Sequence, residues 1–377
     1  MADRGLLDPA LLTAIADAIR AKNGSASGYT PAQMAQAIAA LSAASELADD
    51  PAYFYAETAD TITKLSRLRK PGTLLVMFLT DSHLYTSSGN AQYFDAQAAA
   101  LNAVCRAIPP DLVVHGGDMT NGSEAKDVTL AEADHVVKTM REIGGDDTLI
   151  LIGNHDGNTV QPDSAANEAR RITEAEMRLL WRAWDDGFTY AGDGYTGGQF
   201  YGYRDYDALG LRVIRLHSYI ERIGVDGCYG GQGGNWGYYP DEVAWFRTVA
   251  LNTPHDVLIL SHQSLSPVLQ GYDEAQDIPH RGTQMQQALD AWIANGGRCA
   301  GVIHGHVHWD YAAKGKGTFQ VIDHSSKNLV QRTGSYGDFY EFGLGLANYL
   351  PSFSAADARP VSSYRDVPKD ADRKSVV

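Results

Sequence analysis

The chain is short of cysteine, of net positive charge and of long apolar runs, and each shortage removes a class of function. Its three cysteines, Cys105, Cys228 and Cys299, are few, odd in number and never spaced as CxxC. A disulfide framework and a thiolate zinc site are both excluded on that count. Lys and Arg total 31 against 46 Asp and Glu, a formal net charge of −15, which argues against a general nucleic-acid binder needing a basic face. No apolar run approaches the roughly 18 residues of a membrane span. The first 24 residues lack the basic flank and unbroken apolar stretch of a secretory signal, so the expected compartment is the cytoplasm. What is present is 44% hydrophobic and 20% charged residues over 377 positions. That is enough for a buried core in one large domain or two modest ones.

Residues 1–45 read as two short helices, each opened by a cap and a proline, Asp8-Pro9 and Thr30-Pro31. Residues 46–69 read as a connector, with an edge strand around Tyr53-Phe54-Tyr55. After the break at Lys70-Pro71-Gly72 the texture changes. Short apolar runs at 73–79, 112–114, 149–152, 213–216, 257–260 and 302–303 are expected strands. Helical patterns fall between several of them, around 91–107, 126–143, 165–184, 240–251 and 283–294. Strands alternating with helices predict an α/β layered architecture, central sheets flanked by helices, with a small N-terminal helical segment.

Residues 187–239 hold 14 of the 38 glycines and 9 of the 20 tyrosines. They are read as an insertion in a main domain spanning 70–330, either packed hairpins or loops that overhang a site. Residues 331–377 are read as a C-terminal extension, with a turn at Thr333–Gly337, a last short strand at Phe339–Phe342 and a polar tail.

The chemistry is concentrated where the apolar runs end. The first gives way to Asp81-Ser82-His83, the second to His115-Gly116-Gly117-Asp118-Met119-Thr120-Asn121-Gly122, the third to Gly153-Asn154-His155-Asp156. Later come Ser261-His262 and His304-Gly305-His306-Val307-His308. Open α/β sheets place their binding crevice at such strand ends. Asp81 and His83, two apart on an extended chain, can turn one oxygen and one nitrogen to the same ion. Asp118 has two oxygens and can bridge two ions, Asn154 offers a carbonyl, and His262, His306 and His308 offer imidazoles. Carboxylate, amide and imidazole without thiolate suit Mn, Fe or Zn. His115, His217, His304 and His324 are assigned structural roles, and Tyr85 and Asn121 flank the motifs as candidates for substrate contact.

The ordered set DSH, GGDMTNG, GNHD, SH and GHVH resembles the calcineurin-like metallophosphoesterases, over about residues 74–308. The resemblance implies two divalent transition-metal ions. Asp81, His83 and His308 would hold one, Asn154, His262 and His306 the other, and Asp118 would bridge them. It implies His155 as the histidine at the leaving group, with Asp156 orienting its ring, and in-line attack on a phosphoester by a metal-bridging hydroxide. The scarcity of arginine near the motifs favours a diester over a monoester. The segment LLTAIADAIRAKNGSASGYTPAQMAQAIAAL is in turn similar to tail-associated proteins of bacteriophages and prophages. That implies a homo-oligomer or virion assembly through residues 1–45, and an alternative role as a phage tail or other interaction protein using the fold mainly as a binding platform.

Overall fold

The computed structural model describes residues 55–88, 91–158, 169–181, 186–220, 230–231, 234–235, 237–265, 281–306, 311–314, 319–322, 331–334 and 340–343. The expected N-terminal helices, His308, His324 and the tail beyond residue 343 lie outside them.

Three strands, β1 (Val76–Leu79), β2 (Leu112–His115) and β3 (Thr148–Ile150), form an all-parallel sheet in the order β1-β2-β3. The helices α2 (Ala91–Ala107) and α3 (Lys126–Gly144) cross between them. On α3, Ala133, Val136, Val137 and Met140 repeat at helical spacing and bury their stripe with Phe94 and Ala98 of α2. They cover Val113 and Ile150 on one face of the sheet. The strand residues next in line, Leu112, Val114 and Leu149, face the other way and enter a second core.

That second core lies between the two sheets. Phe188, Val213 and Leu260 supply its opposite wall. They belong to or border a seven-stranded mixed sheet in the order β11-β14-β10-β9-β6-β5-β4. Its strands are β4 (Thr189–Tyr190), β5 (Gly202–Tyr206), β6 (Leu211–Arg215), β9 (Asp256–Leu260), β10 (Cys299–His304), β11 (Tyr311–Lys314) and β14 (Tyr340–Gly343). Strands β6, β9, β10 and β14 run parallel. Two small hairpins are separate: β7 (Gly230–Gly231) with β8 (Gly234–Asn235), and β12 (Phe319–Ile322) with β13 (Gln331–Gly334). The outer face of the large sheet, Ile214, Val257, Ile259 and Val302, is covered by Trp245 and Phe246 and by Met285 and Leu289. The first pair comes from α4 (Pro240–Trp245) and the π-helical turn that continues it, the second from α5 (Gly282–Ala294). The result is a helix–sheet–sheet–helix sandwich, the layered α/β class that the alternating pattern predicts.

Three expectations change. Tyr55, expected in an edge strand, opens α1 (Tyr55–Leu68) instead, because Ala59, Ile62 and Leu65 share a helix face and pack against Ala103 and Val104 of α2, while Tyr53 and Phe54 lie outside the described residues. Within residues 187–239, the stretch up to Arg215 follows the packed-hairpin reading rather than the overhanging-loop one, since β4 and β5 form a hairpin and β6 pairs with β5 in the large sheet. Its tyrosines are packing residues, Tyr201 on Trp245 in the outer core, Tyr190 and Tyr206 against the core between the sheets. After residue 330, the short strand expected at Phe339–Phe342 is present as β14 (Tyr340–Gly343), but it belongs to the large sheet rather than to an extension. Strand β14 inserts between β10 and β11, pairing Val302 with Glu341 and Ile303 with Phe342, and Thr333 lies in β13 rather than in a turn. Among the described residues no helix is long and apolar enough to cross a membrane.

Candidate metal centre

Both sheets send the carboxyl ends of their parallel strands to one place. Asp81 and His83 follow β1, Asp118 follows β2, and Asn154 and His155 follow β3. From the other sheet, His262 follows β9 and His306 follows β10. The loops are laced together by the backbone, with Asp81 N–H donating to Gly117 O at 3.0 Å and His83 N–H to Asp118 O at 2.9 Å. Between the sheets, Gly305 N–H donates to His262 O at 3.1 Å, and His306 N–H reaches both Asp81 oxygens at 3.1 Å.

The backbone bends sharply to do this. Of the six non-glycine residues at positive φ among the described residues, four are motif positions: Asp81 (55°), His83 (41°), Asp118 (52°) and His306 (67°). Left-handed backbone costs a non-glycine residue on the order of 1–3 kcal/mol and gathers at functional sites. The turns free each side chain from the alternation of its strand and aim it at the shared edge.

Two donor sets result, and Asp118 belongs to both. His83, Asp118 and His155 bring one ligand atom each within 4.8 Å of one another, as do Asp118, His262 and His306. Asp118 Oδ2 lies 3.5 Å from His83 Nε2 and 3.2 Å from His262 Nε2. It is buried and makes no hydrogen bond, whereas Oδ1 accepts the His155 N–H at 2.8 Å. An ionised buried oxygen facing imidazole nitrogens without a bond of its own fits a cation site. Around Asn154 Oδ1 gather His306 Nδ1 at 2.8 Å and His262 Nε2 at 3.2 Å. The opposite ring nitrogen of His262 faces Gly116 O at 2.8 Å, so Nδ1 carries the proton there and Nε2 is turned to the centre.

The electrostatics of the metal-free centre follow from this crowding. Burial works to raise the Asp118 carboxyl, but His262, His155 and His83 outweigh it and hold it below the ordinary carboxylate range. Burial pulls His262 down, yet the Asp118 and Asp81 carboxylates lift the ring to about 9. The centre therefore favours a positive charge at the point where the donors converge.

Asp156 does not orient the His155 ring. Burial, with Asp118 beside it, lifts its carboxyl to about 7. Its two oxygens accept the backbone N–H groups of Asp118, Met119, Thr120 and Gly153 at 2.8–3.3 Å. It clamps the loops after β2 and β3 to each other. The partner of His155 Nδ1 is instead the carbonyl of Asn121 at 2.9 Å, which leaves Nε2 facing Asp118 Oδ2 at 4.0 Å. Asn121 thus enters through its backbone, which its residue type does not announce.

The structural histidines stand apart from the donor sets. His115 is fully buried, with Gly117 N–H donating to its Nδ1 at 3.2 Å and its Nε2 2.6 Å from the Ser82 hydroxyl. Burial drives its ring down to about 3, so it is a neutral strut between the loops after β1 and β2. His304 is buried on Gly305 O, and His217 packs on Phe200 and faces Glu174. Sequence reading missed Thr80, whose hydroxyl donates to Asp81 Oδ2 at 2.7 Å, and Gln263, which lies beside Asn154 and His306. A hydroxyl or amide next to a motif residue gives no signal of its own.

No curated protein matches the chain. A protein-family model, described as calcineurin-like phosphoesterase, matches residues 74–310. That segment runs from the start of β1 past the last histidine of the centre, and the chain belongs to the calcineurin-like phosphoesterase family.

Proposed function

We propose that the chain hydrolyses a phosphodiester using two divalent transition-metal ions, of the Mn, Fe or Zn type. The observation that carries this reading is Asp118 Oδ2, buried without a hydrogen bond between two sets of imidazoles. One ion would be held by Asp81, His83, His308 and Asp118, the other by Asn154, His262, His306 and Asp118. When bound, such ions supply Lewis acidity and a nucleophile that is available near neutral pH.

The chain's own groups do the rest. Asp118 would serve both sites, since it belongs to both donor sets. Gly116 and Asn121 carbonyls hold the His262 and His155 rings by their Nδ1 atoms. His155 Nε2 is then the atom placed to give a proton to the departing oxygen. Preference for a diester is supported by where the guanidinium groups go. Arg69, Arg141, Arg204, Arg212 and Arg298 pair with Asp111, Asp146, Asp147, Asp205 and Asp256, none of which belongs to the centre. A monoester brings an extra negative charge, and these five described guanidinium groups are not placed to meet it.

The test is metal analysis with paired turnover of bis(p-nitrophenyl) phosphate and p-nitrophenyl phosphate. About two ions per chain and faster diester cleavage are expected. A chain that takes up no metal overturns the reading, and faster monoester cleavage overturns the diester preference.

A further inference from the structure

Gln263 is fully buried directly after His262, yet no part of the two-ion reading uses it. Its peptide is held on both sides. The N–H donates to the Ser218 hydroxyl at 3.3 Å, and the carbonyl accepts the Tyr238 hydroxyl at 3.3 Å. Tyr238 Oη also lies 3.0 Å from Ser261 Oγ on the other side of His262. Ser218 follows β6 and Ser261 follows β9, so two neighbouring strand ends fix this one residue.

With the backbone fixed, the side chain reaches the second donor set. Gln263 Nε2 lies 3.3 Å from Asn154 Oδ1 and 3.4 Å from His306 Nδ1. Its Oε1 is buried with no hydrogen-bond partner. Packing alone does not account for this choice, since a leucine or methionine would fill similar space without leaving a buried acceptor unmet. The donor count gives the reason. Asn154 Oδ1 has nitrogens of His306, His262 and Gln263 at 2.8, 3.2 and 3.3 Å, but a carbonyl oxygen has only two lone pairs. A ring nitrogen that ligates an ion no longer donates to Asn154. The Gln263 amide is the donor that stays.

We propose that Gln263 is the positioning residue of the second ion site, its carboxamide N–H holding Asn154 Oδ1 in place so that Asn154, His262 and His306 remain convergent. The inference rests on the two-ion reading and adds to it a residue outside the motif ligands. It predicts that losing the N–H weakens one site and spares the other.

The experiment titrates Mn²⁺ into the metal-free chain by calorimetry, for the wild type, Gln263→Leu and Gln263→Met. Methionine keeps the length and fills irregular space, so it serves if leucine disturbs folding. The wild type is expected to bind in two steps. In the variants one step is unchanged and the other weakens about 10–100-fold, the usual cost of losing a ligand's supporting partner. Thermal unfolding of the metal-free variants separates the alternative: a purely structural role lowers Tm and leaves both affinities as they were. Two wild-type affinities in Gln263→Met overturn the proposal. A wild-type chain that binds no Mn²⁺ overturns the two-ion reading itself.

Discussion

Gly305→Ala puts the geometry of the centre under a direct load. Gly305 sits between His304 and His306, and its need for glycine is close approach to neighbouring side chains. A Cβ built there would lie 2.1 Å from Asp81 Oδ2 and 2.2 Å from Thr80 Oγ1. Ordinary contact begins near 3.4 Å, so those atoms must retreat by about 1 Å. They are poorly placed to do so. Asp81 is fully buried, its Oδ2 accepts the Thr80 hydroxyl, and both its oxygens accept the His306 N–H. Overpacking of this kind costs about 1–3 kcal/mol, and 1 Å of misplacement at a reacting centre costs roughly 100-fold in rate. Calorimetry of the metal-free variant, ion content and diester turnover together read the effect. We expect a lower Tm, loss of the ion that Asp81 would hold, and turnover down about 100-fold or more. Gly194→Ala, where a Cβ meets nothing within 4 Å, is the control and stays within about 0.5 kcal/mol. Wild-type Tm, ion content and turnover in Gly305→Ala would refute the argument.

Three further outcomes are expected. Asp118→Asn keeps an acceptor for the His155 N–H but removes the shared charge, so ion content falls below that of the wild type and turnover drops by more than about 100-fold; unchanged ion content contradicts the bridging role. Burial holds the Glu242 carboxyl well above the ordinary carboxylate range, so the folded chain keeps a proton that the unfolded chain releases near pH 4. Stability then falls as pH rises above that point, by up to about 1.4 kcal/mol per unit, and Glu242→Gln flattens the profile of Tm between pH 5 and 8; a parallel profile refutes it. Saturating Mn²⁺ at about 100 times its Kd stabilises the wild type by about 2.7 kcal/mol per site, reversed by EDTA; a Tm indifferent to both argues against any specific site.

The sequence shows the strands that bear the centre, because β2, β3, β9 and β10 are apolar runs ending in chemically unusual residues. It shows less where contacts are made far along the chain. Helix α1 hides behind Tyr53-Phe54-Tyr55, since its stripe of Ala59, Ile62 and Leu65 has meaning only against α2. Strand β14 pairs in parallel with β10, some forty residues earlier, and no local pattern specifies a parallel partner. At the centre, the donor types are legible but their supports are not. Asp156 stands beside His155 in sequence, yet its oxygens go to four peptide N–H groups, and the ring is held by the carbonyl of Asn121. Backbone carbonyls and N–H groups belong to every residue, so their work leaves no mark in the residue type.

The placement of strain explains why two sheets are needed for one small site. Four left-handed residues at about 1–3 kcal/mol each amount to roughly 4–12 kcal/mol, comparable with the whole net stability of an ordinary domain. One three-stranded sheet with helices on a single face offers little to offset that. Here the sheet is buried on both faces, with Val113 and Ile150 under the helices and Leu112, Val114 and Leu149 against the second sheet. The second sheet brings His262 and His306 and also closes the core that holds the strained turns after β1 and β2 in place. Selection for stability alone would favour glycine at Asp81, His83, Asp118 and His306, where it adopts positive φ freely. The side chains found there instead are carboxylates and imidazoles, so the cost in backbone strain falls at the positions where the donors converge.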